Sequence, residues 1–474
     1  MANPNILSER YAQATNRIFS PRNRIIDERE FWIAVIKAQR DLGVHIPAEA
    51  IQKYEKAKRH VDLRLIKEIE LKRKHDVKAR IEAFVQAADA GEYIHLGLTA
   101  RDLTDNVEQM QNRKAARLIF GRYVSVLRHM LDKAQAYRDI YLAGRSHHQA
   151  AQTLVLGKRF AMTAEELYEH LPPFEQFIKN YPLRGIKGPM GTQFDMLTLL
   201  GNPEKVDQLE RIVAKHLGFE RVLDATGQVY PRSLDAALVN HLDILASACR
   251  NFAINMRLMA GYELLTEGFA EGQVGSTAMP HKMNTPHSER IYAFSNLLKM
   301  YADGASRISG DQWEEGDVSC SVVRRVILTD TFYASDGLCE TTLDVLNKMG
   351  IYPVMISREV DRYLPFMATT EILTLAVKRG LGREQAHEVI KKYAIEEALA
   401  MREQGKVPAL PERLAEDPLF QSVGLSAARI YAILNDKSHF IGNACRQIDA
   451  VAAKTVPLLE KYAKEARYEN KPIL

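Results

Sequence analysis

Cysteine is scarce in this sequence, and what there is does not cluster. It occurs at Cys249, Cys320, Cys339 and Cys445 of 474 residues, with no C-x-x-C pair, which excludes the spacing of a zinc site and that of a disulfide framework. A reducing cytoplasm is the simplest home, and no metal or organic cofactor is expected. Long apolar runs are absent as well, since none approaches the ~18 residues that a membrane span requires. The opening "MANPNILSERYAQATNRIF" holds no apolar core of signal-peptide length, so the chain is expected to be cytosolic, complete and without membrane partners. Nor does one sign of charge prevail. Lys+Arg 64 against Asp+Glu 60 leave a formal +4 spread along the whole length, a mild bias toward anionic ligands. Basic residues scattered without an aromatic stripe make no nucleic-acid surface. Internal repeats and low-complexity tracts are also missing.

What is present is helical periodicity. Proline-free stretches with apolar residues at three- and four-residue steps dominate, as with Val107, Met110, Leu118, Val124, Leu127, Leu131 and Ala134 within 105–142. A second such segment runs 232–268 through Leu234, Leu238, Leu242, Leu245, Ala248, Phe252, Met259 and Leu265, and a third covers 322–348. Helices of about 35 residues would be ~50 Å long, and a chain of this length exceeds one ordinary core. The expectation is an all-α fold of three domains around a central long-helix bundle, with part of its apolar surface facing other chains. Boundaries fall near residues 99 and 351, at "HLGLTARD" and "MGIYP". They give an N-terminal helical domain 1–99, the bundle 100–351 and a C-terminal helical domain 352–474. The glycines and Pro189 of "LRGIKGPMGTQ" at 183–193 predict a turn or small hairpin. This segment lacks the Lys-Ser/Thr ending of a phosphate loop and is not read as a nucleotide cradle.

One stretch interrupts the helical patterns. From Val274 to Arg290 the chain reads "VGSTAMPHKMNTPHSER", with small polar residues, two prolines and a group of cations. Its glycine and serine let the backbone close over a ligand, while Lys282, Asn284 and Arg290 suit the gripping of carboxylates. On residue types alone, a solvated loop leading into a helix with a Ser/Thr cap reads the same way.

The pattern Gly-Ser-Ser/Thr-x-Met-Pro-x-Lys-x-Asn resembles the signature of the fumarase/aspartase superfamily of fumarate-forming lyases. Two further segments are similar to that superfamily's: "IHLGLTARDLTDN" at 94–106, with His95, Thr99, Asp102 and Asp105, and "GRSHHQAAQTLVLGKRF" at 144–160. Ala100 stands where serine is usual. Within the superfamily, "SERYA" at 8–12, "KHDVKARI" at 74–81, "ATGQVYPR" at 225–232, "SGDQWEEGDVSCSVVRR" at 309–325 and "RYLPFMAT" at 362–369 resemble the adenylosuccinate lyases, so the likeness covers nearly the whole chain. Lys74 replaces the arginine that usually precedes His-Asp-Val. Gly316 occupies a place where many members carry arginine.

The resemblance implies elimination of fumarate from adenylosuccinate and from succinylaminoimidazole carboxamide ribotide, in a homotetramer with shared sites. Such chemistry needs a base for the proton alpha to a carboxylate, an acid for the departing nitrogen, and cations for the doubly negative intermediate. By resemblance Ser276 is the base, made competent by Lys282, and His147 is the acid with Glu289 orienting its ring. Lys74, His75, Asp76, His95, Thr99 and Ala100 match positions that hold substrate. Arg10, Tyr11, Ser321 and Arg325 match the surroundings of the nucleotide phosphate, and Gln228, Asn284 and Arg290 match contacts to the succinyl carboxylates. Read as helix, 144–160 points His148 about 100° away from His147, so His148 is assigned a structural role and the pair is no metal chelate. Two other readings stand beside this one: another superfamily enzyme, such as argininosuccinate lyase or a carboxymuconate cycloisomerase, and a non-catalytic helical scaffold.

Overall fold

The computed structural model describes residues 5–268, 279 and 281–471. Four long helices carry the architecture: Ala100–Ala136, Ser233–Gly261, Pro286–Arg307 and Ser321–Lys348. A fifth, Leu156–Lys179, packs against the first two, and the second, third and fourth pack on one another. The fold is all-α, as the three-to-four periodicity predicts. Most of the Ala100–Ala136 helix is buried, polar as well as apolar residues included, with one exposed stripe through Lys114, Arg117, Arg128 and Asp132, as suits a helix deep in a bundle. It stops before the 142 expected from sequence because Tyr137 begins a turn and Tyr141 enters a strand.

Strand is confined to two small pieces among the described residues. Tyr141–Ser146 pairs antiparallel with Gln149–Val155, and Leu265–Thr266 with Gly350–Ile351. The first is a correction to the helical reading of 144–160. The two strands are joined by a two-residue connection, and helix begins only at Leu156. Of the turn or small hairpin expected at 183–193, no hairpin forms and the segment bends through its glycines instead. Leu183 makes a single parallel bridge to Val222, and the rest is a loop with left-handed Gly185, Gly188 and Gly191.

Two main cores result. One joins the N-terminal helices, the bundle and the helix Ala444–Lys461, with Trp32, Tyr54, Tyr123 and Phe174 fully buried. The other lies between Val360 and Leu434 and takes in Ala143 from the hairpin. The hairpin is therefore clamped between the bundle and the 360–434 unit. No helix among the described residues is long and apolar enough to cross a membrane.

Candidate active site

Most of the residues singled out from sequence lie toward one or the other end of the Ala100–Ala136 helix, while Arg10 and Tyr11 lie beside Arg122 in its middle portion. At its amino end, His95 sits in a turn with φ of 66°. Trp32 Nε1 donates to His95 Nδ1 at 3.1 Å, which leaves the ring proton on Nε2. Burial pushes the His95 pKa from 6.5 down to about 4, with Asp102 opposing and His75 and Lys78 adding to the shift. At neutral pH His95 thus offers an uncharged N–H donor. His75 caps the helix Asp76–Ala88 by accepting from Lys78 N at 3.3 Å through Nδ1, so it too presents Nε2. Lys74 forms the left-handed joint before it, and Asp76 pairs with Arg80.

Thr99 N donates to Asp102 Oδ2 at 2.8 Å, closing the first turn of the long helix that Ala100 opens. Asp102 Oδ1 accepts from Arg184 Nη1 at 2.6 Å, Lys187 N at 2.9 Å and Gly188 N at 3.1 Å. Arg184 is fully buried and also donates to Gly227 O at 2.8 Å. The glycine-rich 183–193 loop is thereby tied to the helix on one side and to the Gln228 segment on the other. Gln228 N donates to Glu315 O at 2.6 Å. Gly227 permits this approach, because a Cβ there would lie 2.1 Å from the same oxygen. Arg324 Nε reaches Asp235 at 2.6 Å and its Nη2 reaches Glu108 at 2.7 Å, so the helices starting at Ser233 and Ser321 begin at this same end. Burial opposes the charge on Arg324, but Tyr230, Glu108 and Asp235 hold its pKa well above the ordinary guanidinium value. The adjacent Arg325 is exposed.

At the carboxyl end the hairpin turns through His147 and His148, which pair no strand residue and have φ of 48° and 62°. Two consecutive left-handed residues are the type I′ geometry that hairpins normally fill with Asn-Gly. The two rings thus project from a turn instead of diverging around a helix. The helix Ser233–Gly261 ends here, since Tyr262 Oη lies 3.1 Å from His148 Nε2. Glu267 anchors the start of the Pro286–Arg307 helix by accepting from His287 N at 2.8 Å and from Ser288 N at 2.9 Å. Lys282, Asn284 and Glu289 are exposed nearby. Arg290 is half-buried, its guanidinium 5.3 Å from the Tyr11 ring centre, while Arg10 lies 5.8 Å from that centre. Ser276 lies outside the described residues.

One chain does not assemble these groups. His95 and His147 flank a helix of 37 residues, which at about 1.5 Å per residue spans ~55 Å. Tyr11 packs on Gly337 of the Ser321–Lys348 helix, whereas Ser321 and Arg325 lie about 24 and about 18 Å back along it.

A model of the family described as Lyase matches residues 7–295, and one described as adenylosuccinate lyase C-terminus matches residues 365–451. The adenylosuccinate lyase of Saccharomyces cerevisiae is 32% identical over 456 residues, 95% of this chain and 94% of that one. That of Schizosaccharomyces pombe is 33% identical over 462 residues, again 95% and 94%. The chain belongs to the adenylosuccinate lyase family. Among solved structures, the 3-carboxy-cis,cis-muconate lactonizing enzyme from Pseudomonas putida aligns with a TM-score of 0.82 at 20% identity, over 97% of this chain and 100% of that one. Fumarate lyase from Mesorhizobium sp. BNC1 aligns at 0.80 and 19% identity, over 96% and 100%. Identities this low speak to a shared fold alone.

Two features of this adenylosuccinate lyase family chain were not visible as such in its motifs. Asp102 and Asp105 were singled out by pattern, yet their work is to hold Arg184 and Arg232 in the interior. Arg145 lies within "GRSHHQ", where its residue type alone marks no role; it pairs with Glu359 and stacks over Tyr262. A charged residue reads the same in sequence whether it is buried or solvated. Gly316, where arginine is common in the family, has φ of 152°, a conformation that favours glycine, and a Cβ there would meet Gln228 Cβ at 3.1 Å.

Proposed function

We propose that the chain eliminates fumarate from adenylosuccinate, leaving AMP, and from succinylaminoimidazole carboxamide ribotide, in the cytoplasm. The observation that carries this reading is the likeness to two adenylosuccinate lyases at 32% and 33% identity over nearly the full length of both partners. Ser276 takes the proton alpha to the carboxylate. Serine is a poor base, and it serves only beside a cation in a site closed to water; Lys282 is that cation. His147 protonates the departing nitrogen and Glu289 orients its ring. Gln228, Asn284 and Arg290 hold the succinyl carboxylates, while Arg10, Tyr11, Ser321 and Arg325 surround the phosphate. Lys74, His75, Asp76, His95, Thr99 and Ala100 line the remainder of the substrate. The neutral Nε2–H of His95 suits an oxygen acceptor there.

The working unit in this proposal is a homotetramer whose sites each draw the 95–106 segment, the 144–158 segment and the Ser276 loop from three chains, with the bundle 100–351 as the shared domain between units 1–99 and 352–474. Two observations support it. The groups lie at opposite ends of a single bundle, and the long helices expose Ile244, Leu258, Val322 and Val326 on their outer faces, apolar surface of the kind that obligate interfaces cover. Incubation with adenylosuccinate tests the reaction, with AMP and fumarate as expected products and ultraviolet absorbance as the continuous readout. Turnover of argininosuccinate or a carboxymuconate, with adenylosuccinate untouched, would overturn it.

A further inference from the structure

The turn that carries His147 is strained and needs an outside hold. Non-glycine residues in the left-handed region cost about 1–3 kcal/mol each, and His147 and His148 are both there. Three contacts oppose that strain. Arg145 Nη1 donates to His148 O at 3.0 Å, fixing the turn from within. Opposite Gly144 and Arg145 the pairing register shifts past Ala151 of the second strand, and the Arg145 side chain pairs with Glu359 and lies 4.4 Å from the Tyr262 ring centre. The Tyr262 hydroxyl then meets His148 Nε2 at 3.1 Å, with ring centres 5.5 Å apart. Tyr262 is the residue on which the helix Ser233–Gly261 ends. Five residues beyond it, Glu267 pins the start of the Pro286–Arg307 helix.

We infer that Tyr262 and His148 form a positioning pair, which fixes the direction in which His147 is presented by fastening its turn to the end of the Ser233–Gly261 helix. The inference rests on His147 as the general acid. Neither member of the pair touches the reacting atoms; each acts through the turn.

The test is a double-mutant cycle on the full-length enzyme. Tyr262→Phe keeps the ring over Arg145 and deletes only the hydroxyl, and His148→Leu removes the other partner. Each should lower kcat about tenfold with KM changed less than about twofold, and the kcat pH profile should move, since the proton donor is held differently. In a His147→Gln background, the same substitutions should cost no further activity. Equal losses in both backgrounds, or a kcat and pH profile indistinguishable from wild type, would overturn the inference. Where His147→Gln is too slow for the comparison, the pH profile of Tyr262→Phe decides alone: a uniform loss with no displacement of the profile also overturns it. Full activity in His147→Gln by itself would instead remove His147 as the acid, which separates failure of the premise from failure of the pair.

Discussion

At the amino end of the Ala100–Ala136 helix, His95, Thr99 and Gln228 are held by buried charge: Asp102 with Arg184, Asp105 with Arg232, and Arg324 with Asp235 and Glu108. At its carboxyl end, His147 stands exposed on a two-residue turn, and its supports, Arg145, His148 and Tyr262, are at or near the surface. The contrast follows from what each end has to do in the proposed reaction. Groups that bind a nucleotide serve best when fixed, and His95 is fixed as an uncharged hydrogen-bond donor. In the proposed shared site the group that hands over a proton reaches out of its own chain, and a turn displays it. Burial makes the first end costly to alter and leaves the second end chemically sensitive but structurally forgiving.

The largest effect is expected from the chemistry itself. Ser276→Ala and His147→Gln should leave folding and substrate binding near wild type and reduce turnover by about 10²–10³ or more, the latter least for a substrate with a good leaving group. A rate above about a tenth of wild type would sink either assignment. Asp102→Ala should do the reverse. It strands the fully buried Arg184 and should cost about 3–5 kcal/mol of stability, read by denaturant unfolding. If it unfolds as the wild type does, the picture of an amino end held by buried charge is wrong.

Mixing His95→Ala with His147→Ala subunits after reversible dissociation should restore a minority of sites and hence partial activity. A mixture that stays inactive although native mass analysis shows hybrids would break the shared-site model. A milder effect is expected at the paired arginines. Arg325→Ala should raise KM for both purine substrates alike, because both carry the phosphate; a large change for only one would remove Arg325 from that role. Arg324→Ala should instead lower stability, since Arg324 is buried between Asp235 and Glu108.

The smallest effect concerns acid. His95 has its pKa pushed to about 4 in the fold against 6.5 ordinarily, so between those values the unfolded chain takes up a proton that the folded one refuses. Stability is therefore undiminished by this group above its ordinary pKa and falls as pH drops from there toward about 4. Comparing thermal midpoints near pH 7 and near pH 5, His95→Gln should lose less on acidification than wild type. An equal loss would show that His95 is not held neutral.

The amino-acid order determined the all-α class, the long helices and the residue types of the site. Val107, Met110, Val124, Leu127 and Leu131 announce a helix because that periodicity is local, and the signature around Ser276 announces the family because its residues are contiguous. It did not determine that 144–155 is a hairpin, for His147-His148 has none of the glycine or asparagine that marks a type I′ turn. That conformation is held by Arg145 from within the hairpin and by Glu359 and Tyr262 from elsewhere in the chain. Likewise nothing in "VVRR" distinguishes Arg324 from Arg325; only the meeting of three helices buries one and exposes the other. Local pattern sets the helices and the motifs. Burial, charge pairing and the end of the bundle at which a residue lies are properties of segments far apart in sequence, and only packing brings those segments together.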